Sequence, residues 1–247
     1  MIFGRSREAS SPLEDTDISE QLEGASVPML HTLMGDTEPG KRADAACALG
    51  DRLRTGDLET LPPEIIECLA RLLDDSAVMV RFEAAVTLAE AHDDRATPLL
   101  LGAMRSRSVR LDAIRALGTL GDQSAIDPLR IFMDRWLLPW ADRLQAAAAL
   151  CALHDSNGAA YLESKLGSKR RAERAAAIHF IGESRHPRGR VLLQEILGNR
   201  KDPMRDVAAR ALGLLGDVGA RPILEAARQS ADAELAADIE AALTKLT

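Results

Sequence analysis

The sequence predicts an all-α protein, an α-solenoid built from about seven two-helix repeats, and three observations support this prediction. Aromatic residues make up only 3% of the 247 residues, whereas alanine and leucine abound, a balance that favours closely packed helices over sheets. Apolar residues recur at the spacing of a helical face. One short motif also recurs along the chain, as expected when each copy forms a unit that packs against its neighbours.

The clearest copies of the motif lie at residues 109–122 and 204–217. Both contain arginine, two alanines, leucine, glycine, leucine, glycine and aspartate at the same spacing. Weaker copies extend the series, so that an arginine opens the predicted second helix of six successive repeats. These arginines, which are 29 to 39 residues apart, are Arg42, Arg81, Arg110, Arg143, Arg174 and Arg205.

Turn signals separate the helices of each repeat. The closing glycine and aspartate end a second helix, because glycine stops helices and aspartate favours turns. Pro98, Pro128 and Pro222 occupy matching positions near the start of the next first helix, where a missing N–H is harmless. We expect a single repeat domain over 17–247 with divergent capping repeats at both ends, preceded by a flexible acidic tail over 1–16.

The motif, written Val-Arg-x-x-Ala-Ala-x-Ala-Leu-Gly-x-Leu-Gly-Asp, resembles HEAT-like repeats of the bilin-lyase type. The resemblance extends over about residues 25–247. It implies a curved solenoid with the second helices on its concave side. It implies less about function, because such repeats serve many roles.

Motifs for catalysis or cofactor binding are absent from the sequence. The paired glycines of the repeat lack the lysine of a phosphate loop, and there is no nucleophile elbow or zincin pair. HEAT-like deoxyhypusine hydroxylases bind two irons through His-Glu pairs, but this chain has no His-Glu dipeptide. Its His92-Asp93 and His154-Asp155 pairs are two repeats apart, roughly 20 Å, too far to share a metal. We therefore expect no catalytic residue, no metal and no cofactor.

The net charge of −7 conceals a basic band. Residues 1–40 carry a net charge of −6, whereas residues 165–210 contain twelve basic and five acidic residues. Several of the cations fall in turns between first and second helices, and equivalent turns should lie along one edge of a solenoid. This predicted basic edge is either a solvated edge without a role or a site for an acidic partner, protein or nucleic acid. Its residues are Arg105, Arg107, Lys169, Arg170, Arg171, Arg200 and Lys201.

The turn of the fourth repeat is longer than the others and rich in aromatic residues. It contains Phe132, Trp136 and Trp140, which include both tryptophans of the chain. The rings either extend the core or anchor a partner, since tryptophan is enriched among residues that dominate binding energy. We include them with the basic edge in the predicted partner-binding surface.

The recurrent arginines need a negative partner, because a cation at a helix N-terminus opposes the helix dipole. The aspartate that closes the previous repeat is the natural candidate: Asp93 for Arg110 and Asp122 for Arg143. The alternative is that the arginines form a row facing a ligand.

Compartment signals favour the cytoplasm. No apolar run approaches the roughly 20 residues of a membrane span. Cys47, Cys68 and Cys151 are odd in number and widely spaced, which suggests buried free thiols in a reducing environment.

The features together favour a non-catalytic scaffold or adaptor that binds an acidic protein partner on its concave surface and basic edge. Two alternatives remain. One is a chromophore (bilin) lyase-like component of a heteromeric complex, which the resemblance implies. The other is binding to a nucleic-acid backbone, although proteins that do so are usually basic. No membrane partner is expected.

Overall fold

The computed structural model describes Leu22 and residues 24–246. These residues form fourteen α-helices and three short 3₁₀ helices, and no strand occurs among them. The predicted all-α fold of about seven helix pairs is therefore confirmed for this part of the chain. The predicted tail over 1–16 lies outside the described residues.

The chain divides into two compact units, Met1–Leu100 and Leu101–Thr247, within which the residues lie close together in space. The single repeat domain over 17–247 stays a prediction. In the first unit the described helices are α1 (Val27–Leu33), α2 (Pro39–Thr55), α3 (Pro63–Leu72) and α4 (Val78–Glu90), and α5 (Thr97–Ala103) contains the boundary.

The second unit continues with α6 (Arg110–Leu120), α7 (Ile126–Met133), α8 (Trp140–Ala152), α9 (Ser156–Lys165), α10 (Arg171–Glu183), α11 (Gly189–Gly198), α12 (Arg205–Leu215), α13 (Arg221–Arg228) and α14 (Ala233–Thr244). The even-numbered helices are the second helices of their repeats. In this unit each second helix packs against the next one along the chain. Leu117 and Leu212, the recurrent leucines of the motif, are fully buried.

Second helices approach one another closely where the motif has glycine. A Cβ on Gly118 would lie 2.9 Å from the Cα of Ala149, and a Cβ on Gly213 would lie 2.8 Å from the Cα of Ala242. These distances are too short for any real side chain. The glycine of the motif is therefore required by the packing of one repeat on the next.

A residue in the left-handed conformation follows the second helices α4, α6, α8, α10 and α12. Gly121 and Gly216 have φ angles of 83° and 69°, and His92, His154 and Arg185 occupy the matching position with φ of 58°, 62° and 50°. Histidine is among the non-glycine residues that tolerate this conformation better than most. The recurrence of histidine before aspartate is therefore explained by how these helices end.

The aspartate after this residue starts the next first helix. Asp122 accepts a hydrogen bond from the backbone N–H of Ser124 at 2.9 Å, and Asp217 accepts one from Gly219 at 2.8 Å. Asp93 accepts from Arg95 both through the backbone N–H and through the guanidinium. The aspartates are thus occupied as caps of the short 3₁₀ turns, which precede α5, α7 and α13.

The predicted acceptors of the recurrent arginines are therefore wrong. Each arginine instead donates to backbone carbonyls at the end of the first helix of its own repeat, or in the turn that follows. Nε of Arg110 donates to Met104 O at 2.8 Å, and Nε of Arg143 donates to Met133 O at 3.0 Å. The reason is proximity, because the start of a second helix lies beside the carbonyls that end the first, and these carry partial negative charge. The structural interpretation of the arginines is supported, and the ligand-facing row is not.

Candidate functional site

The basic edge lies within the second unit, in the turns that precede α6, α10 and α12. The second helices of this unit run in the same direction, because contacts join equivalent ends of neighbours. Arg110 at the start of α6 contacts Asp142 at the start of α8, Gly118 near the end of α6 lies against Ala149 near the end of α8, and Arg174 near the start of α10 contacts Asp202 just before α12. The turns before these helices therefore follow one another at one end of the second-helix layer.

The seven cations of the basic edge are all exposed. None of them forms an ion pair with any residue that the structure describes. Some exposed cations elsewhere in the unit are paired: Arg188 lies 2.8 Å from Glu163, and Arg190 lies 3.1 Å from Asp217. Arg185 and Lys245, by contrast, are exposed and make no ion pair with a described residue. The charges of the basic edge are thus left to solvent or to a partner.

Two of these cations also stand at a helix N-terminus, where the helix dipole disfavours a positive charge. Arg170 is the N-cap residue of α10, with extended backbone and no side-chain cap, and Arg171 is the first helical residue. A helix N-terminus favours anions by about 0.3–1 kcal/mol and disfavours cations by a similar amount. Arg170 and Arg171 therefore do not stabilise the start of α10.

Phe132 does not belong to the exposed surface. Its ring is 1% exposed, and the guanidinium carbons of Arg110 and Arg135 lie 5.5 and 5.0 Å from the ring centre. The expectation that Phe132 helps to anchor a partner is corrected, because its ring is enclosed by the core and by two cations that stack on it. The ring instead holds the start of α6 against the loop that follows α7.

Trp136 is the exposed residue of the aromatic segment. Its side chain is 85% exposed, in the loop between α7 and α8, whereas Trp140 is half-buried in the first turn of α8. Ile131 and Leu137 are also exposed, at 68% and 75%. Sequence reasoning missed these two, although Ile131 falls between the core positions of α7 and so points away from the core. The structure thus offers one exposed indole flanked by aliphatic side chains.

The cysteines lack the features of reactive thiols. Cys68 and Cys151 are buried and Cys47 is half-buried, and all three are free. Burial raises the pKa of the Cys47 thiol to about 12, with Glu83 and Asp51 adding to the effect. A thiol with so high a pKa is almost entirely protonated at neutral pH and is a poor nucleophile.

The described residues include no group of three or more histidine, cysteine, aspartate or glutamate side chains placed to hold a metal ion. Among them, no helix is both long enough and apolar enough to span a bilayer.

Comparisons with known proteins point to the same repeat. The family model of HEAT repeats matches residues 27–108 and again 68–151. The solved structure of the CpcE–CpcF complex of phycocyanin lyase from Nostoc sp. PCC7120 is similar with a TM-score of 0.56. That match covers 100% of this chain and 99% of the other at 16% identity, so it shows the fold alone.

A curated relative shares a shorter stretch. Deoxyhypusine hydroxylase of Gallus gallus is 33% identical over 89 residues, which are 34% of this chain and 30% of that protein. The chain therefore spans less than a third of the length of this relative. The sequence has no His-Glu dipeptide.

Proposed function

Because this chain belongs to the HEAT-repeat family, we propose that it is a non-catalytic scaffold whose basic edge and exposed Trp136 bind an acidic partner protein. The observation that carries the proposal is the set of seven exposed cations without ion partners in the turns of one unit. Such a cluster raises the local concentration of an acidic partner and speeds its encounter with the surface.

A protein fits this surface better than a nucleic acid does. The turn between those that carry Arg107 and Lys169 exposes the apolar side chains of Trp136 and Leu137, and Ile131 is exposed at the end of α7 just before it. Mixed aromatic and cationic surfaces are typical of protein interfaces. Nucleic-acid binding would show itself as a steep fall of oligonucleotide affinity with salt.

The similarity to the CpcE–CpcF structure supports a heteromeric assembly, since that structure is a complex of two different chains. It also favours a second candidate, a component of a bilin lyase. Mixing the chain with free bilin, alone and with a candidate partner, tests this second function by the absorption spectrum of bound pigment. The concave surface remains part of the proposal, and the free cysteines suit a reducing compartment such as the cytoplasm.

Site-specific photo-cross-linking from the loop identifies the partner. A photoreactive amino acid replaces Trp136 in one variant and Gln123, which is exposed in the turn after α6 at the opposite end of the second helices, in a matched variant. We expect one acidic protein to be captured from position 136 and not from position 123, and to be captured less as salt is raised. Equal capture from both positions would contradict the proposed surface.

A further inference from the structure

A groove with a volume of about 420 Å³ lies between α11 and α13, next to the turn that contains Arg200. Arg200 and Arg205 form the charged part of its lining, and Leu197, Ile223 and Ala227 form much of the apolar part. Arg200 belongs to the basic edge, whereas Arg205 is the recurrent arginine of the sixth repeat. The groove therefore combines two cations with an apolar wall.

Two of the recurrent arginines show which chemical group an arginine at this position of the repeat can bind. Arg42 donates from Nε and Nη2 to the carboxylate of Asp75, at 2.8 and 2.9 Å. Arg174 donates from both terminal nitrogens to the carboxylate of Asp202. In both cases the aspartate comes from the turn of the next repeat. A carboxylate from the next repeat is thus the ligand of this arginine in some repeats, whereas Arg81 and Arg143 donate only to backbone carbonyls among the described residues.

Arg205 lacks this ligand. Its Nε donates to Leu197 O at 2.9 Å, but its two terminal nitrogens have no acceptor among the described residues. The aspartate of the next turn, Asp232, accepts from the backbone N–H of Leu235 and makes no ion pair with a described residue. The carboxylate position on Arg205 is therefore open, and the groove lies beside it.

We propose that this groove binds an acidic side chain of the partner protein together with the apolar side chain two residues after it. The carboxylate takes the place on Arg205 that Asp202 takes on Arg174, with Arg200 as a second cation. The apolar side chain packs against Leu197 and Ile223. The chain contains a model for such a ligand in Asp202-Pro203-Met204, where the aspartate binds an arginine and Met204 is buried. This inference deepens the proposed function and rests on it for the choice of a protein as partner.

A peptide that copies this segment tests the groove directly. Ac-Asp-Pro-Met-NH₂ is titrated into the full-length, ¹⁵N-labelled chain while the Arg205 side-chain signal and the amides of Ile223 and Ala227 are followed. We expect saturable shifts at these signals, and binding weaker by about tenfold or more for Ac-Asn-Pro-Met-NH₂, which lacks the charge. Equal affinity for the two peptides, or no saturable shift at these signals, would overturn the proposal.

Two variants separate the groove from general effects of charge. Arg205→Gln should weaken binding of the aspartate peptide by about tenfold or more, whereas Arg185→Gln, at an exposed and unpaired cation away from the groove, should leave it unchanged. Because Arg205 also supports the fold, Ala226→Leu provides an independent test. This variant fills the groove from an exposed position and keeps both arginines, and it should abolish binding; retained binding would overturn the proposal.

Binding of the partner captured from position 136 to two further variants distinguishes the groove proposal from the proposed function. If reversal of Lys169, Arg170 and Arg171 abolishes its binding while Ala226→Leu does not, the groove is wrong and the proposed function stands. If neither change affects binding, both fail.

Discussion

Both terminal nitrogens of Arg174 donate hydrogen bonds to the carboxylate of Asp202, at 2.9 and 2.5 Å, across the boundary between two successive repeats. The side chains are 19% and 10% exposed, so water screens the pair only in part. Nε of the same arginine donates to Leu166 O at the end of α9. One side chain therefore joins the end of a first helix, the start of a second helix and the turn of the next repeat.

Replacing Asp202 by asparagine should lower the free energy of unfolding at pH 7 by about 1–3 kcal/mol, because the charge-assisted bonds to Arg174 are lost. The hydrogen bond from Arg174 holds the pKa of Asp202 below its ordinary value of 3.8. The stabilisation is therefore fully present above about pH 5, begins to fall near the unfolded pKa and is lost as the pH falls through the lowered pKa of the folded state. Urea denaturation from pH 7 to pH 2 checks this: the difference between wild type and variant should shrink at low pH.

The control for this prediction is Glu225→Gln, which changes an exposed carboxylate without an ion partner among the described residues. It should show no such pH dependence. A difference between wild type and Asp202→Asn that persists at pH 2 would contradict the assigned role of the pair.

The recurrent leucines should be the most sensitive core positions. Leu117→Ala and Leu212→Ala should each destabilise the protein by about 2–5 kcal/mol, since both side chains are fully buried and leave a cavity. Leu137→Ala, at a residue that is 75% exposed, should change stability little. Chemical denaturation measures all three, and a loss below about 1 kcal/mol at Leu117 would mean that its packing is misassigned.

Gly118 of the motif should not tolerate even the methyl group of alanine. Gly118→Ala should destabilise by about 1–3 kcal/mol, because its Cβ would press on the backbone of Ala149 and force α6 and α8 apart. Gly102→Ala is the matched control in the preceding helix, where a Cβ would meet nothing within 4 Å. That change should leave stability unchanged or raise it by up to about 1 kcal/mol. Similar effects at both positions would argue against close packing of the second helices.

Arg170 of the basic edge should lower the stability of the protein and strengthen binding of the partner. Arg170→Asn places a good N-cap residue at the start of α10, where arginine makes no side-chain cap, and should raise stability by about 1 kcal/mol. The same change should weaken binding of the partner captured from position 136. Thermal denaturation and a binding assay on the same variant check both parts, and a gain in stability without any loss of binding would remove Arg170 from the interface.

The sequence predicts the repeat well and the partner surface only in part, for a physical reason. Helix pairs follow from spacing, so Leu117 and Leu212 could be placed in the core before the structure was known. The acceptors of Arg110 and Arg143 could not be predicted, because they are backbone carbonyls. Every residue has one, so the sequence does not show which of them accepts. The same limit applies to the aromatic segment. Phe132 and Trp136 are four residues apart, yet the first is buried and the second is exposed, and the sequence does not distinguish them. Only the path of the loop after α7 decides between them.

The association rate with the captured partner, measured over a range of salt concentrations, tests the central claim most directly. Changing Lys169, Arg170 and Arg171 to glutamate should lower this rate and flatten or reverse its dependence on salt. A matched variant that changes Arg71, Arg185 and Lys245 to glutamate alters the net charge equally at exposed cations outside the basic edge. The account predicts a much smaller effect for the matched variant. Equal rates for the two variants, or a rate unchanged from wild type in the first, would contradict binding at the basic edge.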